Sequence, residues 1–177
     1  VSRRIASSSS SVVSAAERDI RARLQGQSLD FNAMSAVANI YRAGAAVRNH
    51  MEREVLGAYD LSWVAFTVLW VLWIWGEQET GKVASEAGVT KGTLTGVIKT
   101  LVARRLVRRI PHRDDRRRVS VALTRAGTAL IEEIFPIFNG HETLAVGSLS
   151  APEQRELARL LRRVLAHISD VDRPEAG

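Results

Sequence analysis

KVASEAGVTKGTLTGVIKTLVARRLVRRIPHRDDRRRVSVALTR, residues 82–125, decides the reading of this chain. The stretch runs helix, turn, helix, strand, Arg-rich turn, strand. Twelve Lys and Arg within it face only Glu86, Asp114 and Asp115, a net charge of +9, while the whole 177-residue chain sums to +6. Everything outside the stretch is therefore acidic on balance. Charge confined in this way is the footprint of a surface that neutralises phosphates, rather than of a protein that is merely soluble and basic.

The pattern predicts a short helix capped by Thr80 and running to about Ala87, with Gly88 as the left-handed residue that ends it and Thr90 as the cap of the next. That is the spacing of a tight helix-turn-helix. In the second helix Leu94, Val97, Ile98 and Leu101 recur at i, i+3, i+4 and i+7 and face a core. The opposite face is Lys91, Gly92, Thr93, Thr95, Gly96 and Lys99, whose small side chains let the backbone approach a groove closely. Residues 106–110 and 119–123 read as strands, the second alternating Val119, Val121 and Leu123 on one face. Pro111 to Arg118 between them reads as an exposed basic hairpin loop. Two strands joined by such a turn after a helix-turn-helix make a wing.

Outward from this head, Met34, Val37, Tyr41, Ala45 and Met51 mark a long amphipathic helix over about 33–55, preceded by a weaker helical segment, 15–24, that Gly26 closes. Ser62 caps a helix that is apolar on nearly every side to Gly76 and so needs neighbours all round. The run Trp63 to Trp75 is shorter than the ~20 residues that cross a bilayer, so no membrane association is expected. Thr124 caps a further helix to about Val146, which Pro136 is expected to kink or divide. Ser150 and Glu153 form a capping box for the last helix, with Leu157, Leu160, Leu161, Val164, Leu165 and Ile168 on one side. A stripe of that length serves either the chain's own core or a dimer seam, and two-fold symmetry favours the seam. Residues 1–14, Ser-rich after Arg3 and Arg4, read as a flexible arm rather than a secretory signal.

Gly88-Val89-Thr90-Lys91-Gly92-Thr93-Leu94-Thr95, then Leu106-Val107, then Asp115-Arg116-Arg117, Val121-Ala122-Leu123-Thr124 and Gly127 together resemble the MarR family of winged-helix transcriptional regulators, over approximately Phe31 to Ile168. The resemblance implies a homodimer binding inverted repeats in double-stranded DNA and released by a small aromatic or anionic effector. It places Arg117 in the minor groove with Asp115 holding its guanidinium, Arg113, Arg116 and Arg118 around it, and Thr93, Thr95 and Lys99 in the major groove, with Thr90 and Lys91 near phosphates. Gly96 stands where many relatives carry a long base-reading side chain, so specificity is expected to rest on the wing and on DNA shape. An effector pocket is implied near Trp63, Phe66 and Trp70, with Tyr41 and Arg48 on the long helix.

The expected architecture is mainly α with a small β-hairpin wing. The division is an arm (1–14), N-terminal dimerisation helices (15–60), a winged helix-turn-helix domain (61–124), C-terminal dimerisation helices (125–170) and a flexible tail (171–177). With no cysteine, thiolate zinc sites and disulfides are excluded. No metal site, cofactor or catalytic constellation is expected: His112 with Asp114 and Asp115 sits on a basic turn and is poorly placed for catalysis. The rival is an architectural, sequence-tolerant DNA coater, which would show steep salt dependence without site preference. A cytoplasmic location follows from the regulator reading.

Overall fold

The computed structural model describes residues 15, 17–111 and 119–172, in two units divided between Arg48 and Asn49. In the first, residues 17–23 are helical and helix α1 begins (α1, Phe31–Glu54). Asp30 starts α1: its Oδ1 accepts from the backbone N–H groups of Asn32 and Ala33, both at 2.9 Å, which satisfies two donors that a helix otherwise leaves open. Asn39 donates to Glu17 at 2.9 Å, and the Arg21 guanidinium lies 5.4 Å from the centre of the Phe31 ring. Val37, Ile40 and Tyr41 stay on the surface, Tyr41 at 78% exposure. The apolar side of α1 read from the sequence is real, but in this unit it is left uncovered.

The second unit takes up α1 at Asn49 and buries Met51 completely. A 3-10 turn, Leu56–Tyr59, leads to α2 (Trp63–Trp75), capped by Ser62, whose Oγ accepts from Ala65 N–H at 3.2 Å. Then follow β1 (Gln78–Glu79), α3 (Thr80–Glu86), α4 (Lys91–Ala103), β2 (Val107–Pro111), β3 (Val119–Leu123), α5 (Arg125–Ala145) and α6 (Ala151–Val171). Helix α2 packs on α5, α3, α4 and β3. Leu56, Leu69, Leu101, Ile131 and Ile134 are fully buried; removing such side chains from water contributes about 1.5–3 kcal/mol each.

Several expectations are corrected here. Thr80 does not cap α3: it is the first helical residue, Glu79 holds the cap position without a side-chain capping bond to the helix, and the reason is that Gln78 and Glu79 pair as a strand with Val121 and Ser120. That pairing makes β3 the central strand in the order β1-β3-β2. Ser120, Val121 and Ala122 are consequently all buried, so the alternation expected for this strand is absent. Leu106 falls outside β2, and Pro111, expected in the loop, ends it opposite Val119. Pro136 does not divide α5, which runs on as one element. Ile74 and Trp75 remain 49% and 45% exposed, so α2 is enclosed only until the chain turns out at Gly76.

The turn after α4 is closed by side chains from distant positions. Arg105 takes the left-handed conformation at φ 59°, Leu106 N–H donates to Leu101 and Arg105 N–H to Val102, the double bond pattern of a Schellman ending with Arg where glycine is usual. Thr124 then does two jobs. Its hydroxyl donates to the Arg105 carbonyl at 2.6 Å and accepts from Gly127 N–H at 3.1 Å, capping α5 while holding it to the end of α4. Gly127 is required by this approach, because a Cβ there would lie 2.0 Å from the Leu106 carbonyl oxygen.

Helix α6 has the capping box foreseen for it, Ser150 N–H donating to Glu153 at 2.7 Å. Yet none of its residues is buried: Leu157, Leu160, Val164, Leu165, Ile168 and Val171 are 40–69% exposed. Among the described residues no helix is long and apolar enough to cross a membrane.

Candidate nucleic-acid interface

Helix α4 owes its placement to one apolar face. Leu94, Ile98 and Leu101 are buried and Val97 is half-buried, so Lys91, Gly92, Thr93, Thr95, Gly96 and Lys99 point to solvent as expected. Thr90 caps the helix, its Oγ1 accepting from Thr93 N–H at 3.2 Å. The exposed hydroxyls are partly spoken for. Thr95 donates to the Lys91 carbonyl at 2.8 Å, and the Thr90 and Thr93 oxygens share a bond of 3.0 Å. Thr95 therefore offers acceptor lone pairs and a methyl group, but no uncommitted proton, to anything that enters beside it. A Cβ built on Gly96 meets nothing within 4 Å, so this glycine leaves a flat place in the surface rather than relieving a clash.

A groove of about 420 Å³ runs along this face between α3, α4 and the root of the wing, edged by Thr80, Lys91, Thr95, Arg109 and Val119. Arg109, one of the twelve cations of the head, is not among the contacts expected from the sequence, although its place in a strand that leads into an Arg-rich turn was a usable signal. Arg108 and Arg109 are both exposed on β2. Arg104, one of the twelve cations of the head, is engaged elsewhere: its guanidinium donates to the carbonyls of Asp60 and Tyr59 at 2.7 and 2.8 Å, tying the end of α4 to the turn before α2. Arg113, Asp115, Arg116, Arg117 and Arg118, with His112 and Asp114, lie outside the described residues.

Helices α2 and α5 line an open cleft of about 350 Å³, toward the low end of the ~300–1,000 Å³ usual for small-molecule sites. Trp63, Phe66, Trp70, Phe135 and Phe138 form its walls. Phe66 and Phe138 stack at 4.2 Å, with Trp63 tilted against Phe138 at 5.9 Å. Glu142 brings a carboxylate to the lining. Three of the residues expected to hold an effector, Trp63, Phe66 and Trp70, are thus brought together; Tyr41 and Arg48 belong to the first unit, where both are exposed. The aromatic partners from α5 were not read from the sequence, because Phe135 and Phe138 look like ordinary core residues until α5 is packed on α2.

A second pairing was also hidden. His50 Nε2 and His141 Nδ1, 91 positions apart, lie 2.9 Å from one another in a partly buried place between α1 and α5. Among the described residues no group of three or more His, Cys, Asp or Glu is arranged to hold a metal ion.

Residues 61–119 match the sequence profile of the MarR family. The uncharacterised HTH-type transcriptional regulator YwaE of Bacillus subtilis (strain 168) is 41% identical over 138 residues, 78% of this chain and 81% of that protein. The solved structure of Bordetella bronchiseptica BpsR, a study of how 6-hydroxynicotinic acid regulates its DNA binding, superposes with a TM-score of 0.69 at 28% identity, over 73% of this chain and 97% of that one. A mutant of MarR from E. coli in complex with operator DNA also gives 0.69, at 26% identity over 78% and 99% of the two chains.

Proposed function

Because the chain belongs to the MarR family of transcriptional regulators, and so is a DNA-binding regulator rather than an enzyme, we propose that it acts as a homodimeric repressor that sits on an inverted repeat and is released by a small effector. The observation that carries this reading is the surface of α4. Lys91, Thr93, Thr95, Gly96 and Lys99 are exposed together, with no bulky apolar side chain among them, beside the basic root of the wing. Lys91 and the first turn of α4 engage phosphate, since the open N–H groups and the dipole of a helix start favour an anion there. Thr93, Thr95 and Lys99 lie in the major groove. Arg117, oriented by Asp115, enters the minor groove, where a weakly hydrated planar cation is drawn to the stronger negative potential.

Two-fold symmetry comes from the apolar stripes that each unit leaves uncovered, Val37, Ile40 and Tyr41 on α1, and Leu160, Val164 and Ile168 on α6. An amphipathic helix with no buried residue has no folding reason to carry a leucine stripe unless a second copy covers it. Trp63, Phe66 and Trp70, with Tyr41 and Arg48, are the proposed effector contacts. A ligand between α2 and α5 would act on DNA binding through α2, which packs on both helices of the helix-turn-helix. That BpsR is regulated by 6-hydroxynicotinic acid supports an effector of the same general size.

Selection of bound duplexes from a random pool at near-physiological salt tests the reading. An inverted repeat with half-sites about one helical turn apart is expected. A diffuse A·T preference with a steep salt slope would replace it with the architectural alternative.

A further inference from the structure

We infer that the effector is a planar aromatic molecule that presents an N–H or ammonium donor to Glu142, an inference that rests on the effector reading above and names the chemistry its cleft selects. Trp63, Phe66, Thr67 and Trp70 share one face of α2, and Phe135, Phe138 and Glu142 share one face of α5. Trp63 and Phe66 both meet Phe138, whereas Trp73 meets Phe135, so the two helices run antiparallel and Glu142, one turn past Phe138, falls at the Trp63 end. The cleft is aromatic along its length and acidic at that end.

Its polar atoms are set as acceptors. Glu142 is the one charged side chain among the described lining residues. Its Oε2 accepts from Asn139 Nδ2 at 2.8 Å, which steadies the carboxylate, and among the described residues its Oε1 takes no hydrogen bond. Thr67 gives its hydroxyl proton to the Trp63 carbonyl at 2.9 Å, so it has only lone pairs left for a ligand. The start of α2 would otherwise draw an anion to this end, but its N–H groups are being served: Ser62 Oγ accepts from Ala65 N–H at 3.2 Å and Glu52 Oε1 from Trp63 N–H at 2.9 Å. Glu52 adds a second carboxylate there. At the same end α5 finishes at Ala145, and the carbonyls that close a helix favour a cation or a donor.

An aromatic amine satisfies each of these groups. Its ring lies along the indole and phenyl walls, its ammonium makes a charge-assisted hydrogen bond to Glu142, and the faces of Trp63 and Trp70 attract the same positive charge. The indole N–H groups serve a neutral hydroxyl or carbonyl elsewhere on the ring. A carboxylate at the Glu142 end meets like charge instead.

The test uses the full chain and two probes of similar size, 2-naphthylmethylamine and 2-naphthylacetate, near neutral pH. Binding is followed by the indole N–H signals of Trp63 and Trp70, and its consequence by release of the selected duplex. The amine is expected to bind about tenfold or more tightly than the acetate, the scale of a hydrogen bond to a charged group, to move both indole signals and to release the duplex. Glu142→Gln retains an oxygen for Asn139 and removes the charge, and should bring the two probes within about threefold of each other while leaving DNA binding without a probe unchanged. Glu132→Gln, exposed on the same helix and outside the lining, should keep the preference. Tighter binding of the acetate with release of the duplex, or a preference that survives Glu142→Gln, overturns the donor inference and leaves the effector reading standing. If neither probe moves the indole signals or releases the duplex, the effector reading falls and the inference with it.

Discussion

Gly127→Ala is the substitution whose cost can be worked most directly from the structure. The new Cβ would lie 2.0 Å from the Leu106 carbonyl oxygen and 3.0 Å from its carbon, both backbone atoms that cannot swing aside. At least about 1 Å of separation must be found to reach even the shortest contacts real Cβ atoms make. Opening that gap pulls the start of α5 from the end of α4 and strains the Thr124 N–H to Leu106 bond of 3.0 Å and the Thr124 hydroxyl contact with Arg105. Overpacking of this kind costs about 1–3 kcal/mol, and a lost hydrogen bond about 0.5–1.5 kcal/mol more. The gain in helix propensity from Gly to Ala returns about 1 kcal/mol. The net is a destabilisation of about 0.5–3.5 kcal/mol, or roughly 1–14 °C in thermal midpoint for a chain of this size. Differential scanning calorimetry at fixed protein concentration measures it, because the proposed dimer would melt at a concentration-dependent temperature. Gly140→Ala is the matched control on the same helix: nothing lies within 4 Å of its Cβ position, so it should be neutral or stabilising by up to about 1 kcal/mol. If Gly127→Ala melts within a degree of the parent, the close approach of α5 to Leu106 is not what this glycine serves.

Arg117→Ala should weaken operator binding by about 1–3 kcal/mol while leaving the dimer and its melting unchanged; loss of folding would mean a structural role. Arg104→Ala should do the opposite, lowering stability by about 1–2 kcal/mol through its two carbonyl bonds and leaving the salt slope of DNA binding as it was; a slope reduced by about one unit would return Arg104 to the phosphate contacts. Leu160→Asp, at a residue 43% exposed in one chain, should halve the mass seen by sedimentation, and an unchanged mass would remove α6 from the proposed dimer seam. Glu153 is held below the ordinary glutamate value by the Ser150 hydroxyl and backbone N–H. A depressed folded value stabilises above the unfolded one and is lost as pH falls through the folded one. The melting advantage over Glu153→Gln should therefore be constant near neutrality and close in acid below the ordinary carboxylate range; a gap independent of pH would refute the capping role of the charge.

What sequence alone determined about this protein is what contiguous residues decide. Ser62, Thr90 and Thr124 start their helices because a side-chain oxygen accepts from an N–H three residues on, Glu153 reaches back to the Ser150 N–H at the start of the last helix, and the i, i+3, i+4 spacing of Leu94, Ile98 and Leu101 chose the buried side of α4. With those signals in order, the helix-turn-helix and wing strands were legible, and so was the exposed face of α4. Tertiary structure decided everything that rests on residues far apart in the chain. Gln78 and Glu79 carry no strand signal of their own and are extended because Val121 and Ser120 offer them a ladder. That pairing is also why Ser120 and Ala122 are buried. Gly127 looks like a weak residue in a helix until Leu106 is brought beneath it, Arg104 like one more cation until Tyr59 and Asp60 face it, and His50 like a surface histidine until His141 meets it. A local pattern records bonds within a turn or two, while a contact across dozens of residues depends on how whole elements pack, and packing is a property of the assembled core.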